Sequence, residues 1–192
     1  LLETGGDVTI ENGDLEFRQG NVLINGDLDI SADPFFPTFF SGSVLSGNDG
    51  VLTVKGDLSI GGRGMSLGTV FRETHVEGDI AKNSDPSGGS IQDGTGGAKL
   101  VLNGTSTQTI TGDFIGNSLI PTIELNNAAG LTLAGDVEVS DNLLLTNGNI
   151  FSDENNLVRL TEDATQVTPE GGQPTSFIDG PMQWDLSAGA NK

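Results

Sequence analysis

The sequence predicts an all-β fold, a parallel β-helix (β-solenoid), on three observations. The dipeptide Gly-Asp occurs seven times, each time followed by an apolar residue. The longer spacing between these corners returns to a unit of about 20–23 residues, the self-similarity expected of a solenoid. Between corners, apolar and polar residues alternate with period 2, which marks strands with one buried face; no segment carries a helical stripe.

The elements follow in order. Gly6-Asp7-Val8-Thr9-Ile10, Gly13-Asp14-Leu15-Glu16-Phe17 and Gly26-Asp27-Leu28-Asp29-Ile30 open the chain, with Gly20-Asn21-Val22-Leu23-Ile24 as a close variant. Gly56-Asp57-Leu58-Ser59-Ile60, Gly78-Asp79-Ile80, Gly112-Asp113-Phe114 and Gly135-Asp136-Val137-Glu138-Val139 continue the pattern, and Gly148-Asn149-Ile150 varies it again. Gly6 to Gly26 is 20 residues, Gly56 to Gly78 is 22 and Gly112 to Gly135 is 23. The two longer gaps, 30 residues from Gly26 to Gly56 and 34 from Gly78 to Gly112, each hold one period plus an insert. The inserts are the loops 31–43 and 83–97. Further alternation comes from Leu100 and Leu102, Ile123 and Leu125, Leu131 and Leu133, Val137 and Val139, and Leu143 and Leu145.

Three short strands per coil account for the period. Corners spaced about seven residues apart would also suit the hairpins of a sandwich, but the register near 22 favours coils. Parallel crossovers are right-handed almost without exception, so a right-handed solenoid is expected. Seven or eight coils stacked at ~4.8 Å make a rod roughly 35 Å long. The chain opens on Leu1-Leu2-Glu3 and stops at Asn191-Lys192 in mid-pattern, so residues 1–192 read as a single solenoid segment of a longer protein.

Composition excludes several functions. The net charge of -19, from 27 acids against 8 Lys plus Arg, removes the basic face that nucleic acid requires. No apolar run approaches the ~20 residues of a membrane helix, so no membrane insertion is expected. There is no Cys, and His75 is the only His, which excludes thiol chemistry and a His-rich metal centre.

From residue 98 onward the chain carries a more specific signal. Leu100-Val101-Leu102-Asn103-Gly104-Thr105-Ser106-Thr107-Gln108-Thr109-Ile110-Thr111-Gly112 is followed by Ile123-Glu124-Leu125-Asn126-Asn127-Ala128-Ala129-Gly130-Leu131-Thr132-Leu133. Then come Gly135 to Ile150 and, finally, Ser176-Phe177-Ile178-Asp179-Gly180-Pro181-Met182. This order, over about 95 residues, resembles the repetitive β-solenoid modules of large cell-surface and secreted, type IX-exported, adhesin-like proteins of Bacteroidetes. The resemblance implies an extracellular or cell-surface stalk or adhesion segment with no catalytic residues. The N-terminal half matches only as Gly-Asp coils, and its two inserts depart from the family pattern.

Several residues are candidates for more than scaffolding. Phe35, Phe36, Phe39 and Phe40 crowd one loop stiffened by Pro34 and Pro37. That loop either folds over the solenoid or docks a neighbouring module or another copy of the protein. Asp27, Asp29 and Asp33 form the densest acidic spot. They are the candidate ligands should calcium, an ion that prefers oxygen donors, bind at these corners. The plainer reading of each Gly-Asp corner is an Asp accepting backbone N–H groups. Arg63, Arg72 and His75, with Glu73 and Glu77, offer the residue types of a polysaccharide lyase, but on a chain whose charge repels acidic polysaccharide. Thr107, Thr109 and Thr111 make one rung of an ice-binding type of ladder, which would have to recur coil after coil. Trp184 and Phe177 read as core. The expected function is a structural or adhesive extracellular segment, a rigid stalk or filament-forming module and not an enzyme. The alternative is a carbohydrate-binding adhesin module that uses the insert loops on cell-surface glycans.

Overall fold

The computed structural model describes residues 1–11, 14–17, 20–31, 44–46, 50–61, 64–67, 71–82, 91–93, 99–164, 166–168 and 173–186. The chain is a parallel β-solenoid. Every pairing between its strands is parallel, and each strand pairs with its counterparts in neighbouring coils.

Three sheets form the sides. The second is the most regular: Val8–Ile10, Leu28–Ile30, Leu58–Ile60, Ile80–Lys82, Gln108–Thr111, Leu131–Ala134, Ile150–Phe151 and Ile178–Asp179 stack in chain order, one strand per coil. The first sheet stacks Leu2–Thr4, Val22–Ile24, Gly50–Val54, Phe71–Val76, Lys99–Leu102, Ile120–Asn126 and Val137–Asn147. The third holds Asp14–Glu16, Val44–Ser46, Gly64–Leu67 and Ile91–Asp93. Ile91–Asp93 lies inside the segment 83–97, read from sequence as a loop. One apolar residue in three gives no alternation to detect, and the strand is visible only through its pairing with Met65, Ser66 and Leu67.

The register builds the core. Val22, Leu52, Thr74, Leu100, Ile123 and Leu143 form one inward column of the first sheet; Ile24, Val54, Val76, Leu102, Leu125 and Leu145 form its neighbour. In the second sheet, Leu28, Leu58, Ile80, Ile110 and Leu133 stack in the same way. These apolar side chains are buried, and each contributes roughly 1.5–3 kcal/mol of transfer free energy. A one-residue slip would turn a whole column outward, so the columns lock the register.

After the fourth coil the third side changes construction. Phe114 bridges Val137, and Val137–Val139 pairs with Val158–Leu160, which pairs with Met182–Trp184. Val137–Asn147 therefore serves two sides: its start pairs with Val158–Leu160, its end with Gln166–Thr168. A register shift between Ile120/Thr122 and the facing Val139/Asn142 marks where this long strand turns the corner. The expectation of three separate short strands per coil thus holds for the first four coils and gives way to a merged strand afterwards.

One column is interrupted. Ile10, Ile30 and Ile60 align, and Lys82 follows them. Its ammonium donates to the carbonyl of Asp113 (2.9 Å) and to Ser118 Oγ (3.0 Å), and lies 5.9 Å from the centre of the Phe114 ring. The aliphatic stem carries the column while the charge escapes to polar partners. Among the described residues no helix is long and apolar enough to cross a membrane.

Candidate functional site

The Gly-Asp corners form a ladder. At the turn from the first to the second sheet, Asp7 Oδ1 accepts the N–H of Asp27 (2.9 Å). Asp27 Oδ1 accepts that of Asp57 (2.8 Å), and Asp57 Oδ1 that of Asp79 (2.8 Å). Asp79 Oδ1 closes the series on the N–H of Thr109 (2.7 Å). Each carboxylate therefore satisfies a donor one coil further along, at a turn whose amide no strand partner reaches. Two other corners use the same device: Asp113 Oδ1 accepts from Asp136 N–H (3.0 Å), and Asp136 Oδ1 from Leu157 N–H (2.8 Å). The variants Asn21 and Asn149 do likewise for Val51 and Phe177.

The glycine of the dipeptide is explained by the same contact. A Cβ on Gly26, Gly56 or Gly78 would fall on the Asp carboxylate and the glycine backbone of the coil before it. None of the three has a positive φ, so these positions need space and not a special conformation. Gly makes the room and Asp makes the bond.

Of the candidate calcium ligands, Asp27 is occupied by the N–H of Asp57. Asp29 lies on the outer face of the second sheet, paired with Thr9 and Ser59. Its Oδ1 is buried with no hydrogen-bond partner among the described residues, and burial followed by the charge of Glu11 pushes its pKa upward. Asp33 lies outside the described residues, as do Phe35, Phe36, Phe39, Phe40 and Arg63. No group of three or more acidic or His side chains among the described residues is arranged to hold a metal ion.

The outer face of the first sheet carries a charged cluster that sequence reading missed in part. Lys99 Nζ lies 2.6 Å from Glu124 Oε2 and 3.6 Å from Glu73 Oε1, and His75 Nε2 lies 3.0 Å from Glu73 Oε2. Thr146 donates to the other Glu124 oxygen (3.0 Å). The hydrogen bond with His75 contributes most to holding Glu73 below the ordinary carboxylate range. For Glu124, burial opposes ionisation, but Lys99 and Thr146 outweigh it and the pKa falls. Burial likewise acts against the Lys99 ammonium, and its two carboxylate partners outweigh that and raise its pKa. The cluster surrounds Val101, which aligns with His75 and Glu124 and is only 4% exposed although it points away from the core. Glu73 and His75 were visible as neighbours in sequence. Lys99 and Glu124 join them only through the strand register, across coils. Lys99 pairs with both carboxylates across the coils, which suits a surface clasp over Val101 better than proton transfer to a substrate.

The threonines do not form a ladder. Thr107 donates to the carbonyl of Ala129, the N–H of Thr109 takes Asp79, and Thr111 aligns with Ala81 and Ala134. Sequence reading also missed an internal polar chain beside the first-to-second corner. Gln108 is buried; it donates to the carbonyls of Val76 (3.0 Å) and Gly78 (2.5 Å) and accepts from Gly104 N–H and Asn127 Nδ2. Buried Ser176 repeats the theme by donating to the Gly148 carbonyl (2.8 Å).

The two ends of the stack show core positions to solvent. Leu2 aligns with Val22 in an inward column of the first sheet, yet is 48% exposed. Met182 and Trp184 continue the Val137–Val158 and Val139–Leu160 columns, and are 40% and 43% exposed. Trp184 therefore has the register of a core residue, as read from sequence, but lies at an end face. No protein-family model, curated protein or solved structure matches the chain.

Proposed function

We propose that the chain is a rigid structural segment of an extracellular surface protein, a stalk or filament-forming module, and that it has no catalytic role. The observation that carries this reading is the continuity of the stack. Apolar columns and Asp bonds pass from coil to coil without a break in register. Such a molecule transmits force along its axis and extends by adding coils. Its partners are neighbouring modules or further copies of the same chain.

The test is light scattering with negative-stain microscopy on the 192-residue chain, with calcium and with chelator. Rods, end-to-end dimers or filaments support the reading. A flexible or globular particle overturns it. A glycan-binding screen run beside it separates a passive stalk from a carbohydrate-binding adhesin, and turnover of any polysaccharide would return catalysis to consideration.

A further inference from the structure

The rod is not uniform along its axis. Between the fourth and fifth coils its third side is broken. Asp14–Glu16, Val44–Ser46, Gly64–Leu67 and Ile91–Asp93 pair in series, and the series ends at Ile91–Asp93. The third side of the fifth coil, residues 112–119, forms no strand against it and turns instead through the short 3-10 helix Gly116–Ser118. Hydrogen bonds from this segment run forward. Gly112 N–H donates to the Ala134 carbonyl (3.0 Å), Phe114 N–H to that of Asp136 (2.8 Å) and Gly116 N–H to Glu138 Oε2 (2.6 Å). The second sheet thins at the same level: two aligned pairs join Ile80–Lys82 to Gln108–Thr111, against three in the junction before and four in the one after.

The core changes there too. Thr74 sets a buried hydroxyl, with no hydrogen-bond partner among the described residues, between Leu52 and Leu100. The column of Ile10, Ile30 and Ile60 ends at Lys82, and Gly112 of the next coil lies against Lys82 without a side chain. Lys82 supplies the link that the backbone lacks, because the Asp113 carbonyl and Ser118 Oγ that it bonds both belong to the third side of the fifth coil. In a stack whose stability is a sum of coil terms and neighbour interfaces, the weakest interface divides the cooperative unit.

We infer that the solenoid consists of two cooperative units, the first four coils and the coils from Lys99 onward, that meet at this seam, with Lys82 as the tie across the third side. Unravelling that starts in the first unit stops at the seam, so the rod yields without losing its second half. The seam belongs to the solenoid whatever the rod carries, and so goes beyond the stalk reading.

The test is hydrogen exchange read by mass spectrometry on the 192-residue chain just below its urea midpoint, where large openings dominate exchange. L58A places a cavity in the third coil. It should speed the exchange of residues 50–60 about ten-fold or more and leave residues 120–160 within about two-fold of wild type. I60V, a smaller truncation, should show the same split at lower amplitude, and serves if L58A leaves the first unit unfolded. K82M keeps the aliphatic stem and removes the tie. It should lower the urea midpoint read at residues 50–60 and leave that at residues 120–160 in place. Equal acceleration of both regions in L58A or I60V overturns the two-unit rod, and an unmoved early midpoint in K82M overturns the role of Lys82.

Discussion

The carboxylate of Asp27 accepts the backbone N–H of Asp57 at 2.8 Å, across 30 residues of sequence and one coil of the solenoid. Asp57 does the same for Asp79 across 22 residues. The bond is indifferent to the insertion between the coils, because it depends only on where the corner sits in the stack. The coil therefore tolerates loops of different length while its corner stays fixed.

The glycine and the aspartate of one corner should fail differently. Asp57→Ala removes the acceptor for the Asp79 N–H at an exposed turn, where water can replace it, and should cost about 1 kcal/mol. Gly56→Ala puts a methyl group onto Asp27 and the Gly26 backbone, and should cost at least about 2 kcal/mol. Urea denaturation of the two variants checks the order.

Thr74 occupies an inward column between Leu52 and Leu100, is completely buried, and its hydroxyl has no hydrogen-bond partner among the described residues. Thr74→Val keeps the shape and removes a desolvated polar atom. It should stabilise the protein by about 1–2 kcal/mol, read as a higher urea midpoint with an unchanged m-value.

Asp29 should be a liability at neutral pH. Burial, then the charge of Glu11, raises its folded pKa above the unfolded value, so the fold favours the neutral acid. The associated stability is present below the unfolded pKa, about 4, and is lost as pH rises through the folded value. Asp29→Asn should therefore melt higher than wild type at pH 7 and equal to it at pH 3. A calcium-dependent rise in wild-type melting temperature that Asp29→Asn abolishes would instead make Asp29 a metal ligand.

Asp136 should act in the opposite sense. Burial opposes its ionisation, but the Leu157 N–H and the Arg159 guanidinium, 2.6 Å away, outweigh it and lower the pKa. Its contribution is present above the unfolded pKa, about 4, and disappears as pH falls through the lower folded value. Asp136→Asn should cost about 1 kcal/mol at pH 7 and flatten the acid side of the stability profile. Thermal melts between pH 2 and pH 7 test both.

The solenoid was legible in the sequence because its two determinants are local. The alternation of Leu28 with Asp29 and Ile30 places a strand, and the recurrence of Gly-Asp places the corner. The hydrogen-bonding role of Asp27 was legible too, as the plainer of two readings of that corner. What could not be read depends on which residues share a register. Lys99 and Glu124 are 25 residues apart, and only the pairing of Lys99–Leu102 with both neighbouring strands brings them together over Val101. Ile91–Asp93 shows no pattern of its own, and its strand is imposed by the coil it follows. Gln108 reads as one more polar residue in a Thr-rich strand, because nothing in its neighbours announces the carbonyls of Val76 and Gly78 that it reaches 32 and 30 residues back.

The long strand Val137–Asn147 has a mechanical meaning. In the first two coils the links of the first and second sheets are three residues long, as in Leu2–Thr4 against Val22–Ile24 and Val8–Ile10 against Leu28–Ile30. In the C-terminal half an 11-residue strand bends round a corner and is bonded to partners on two sides at once. Bonds that share a load over two planes must break together, whereas short rungs give way one at a time. Pulled from its ends, the rod should fracture among its early coils and leave the region around Val137–Asn147 as the last intact fragment.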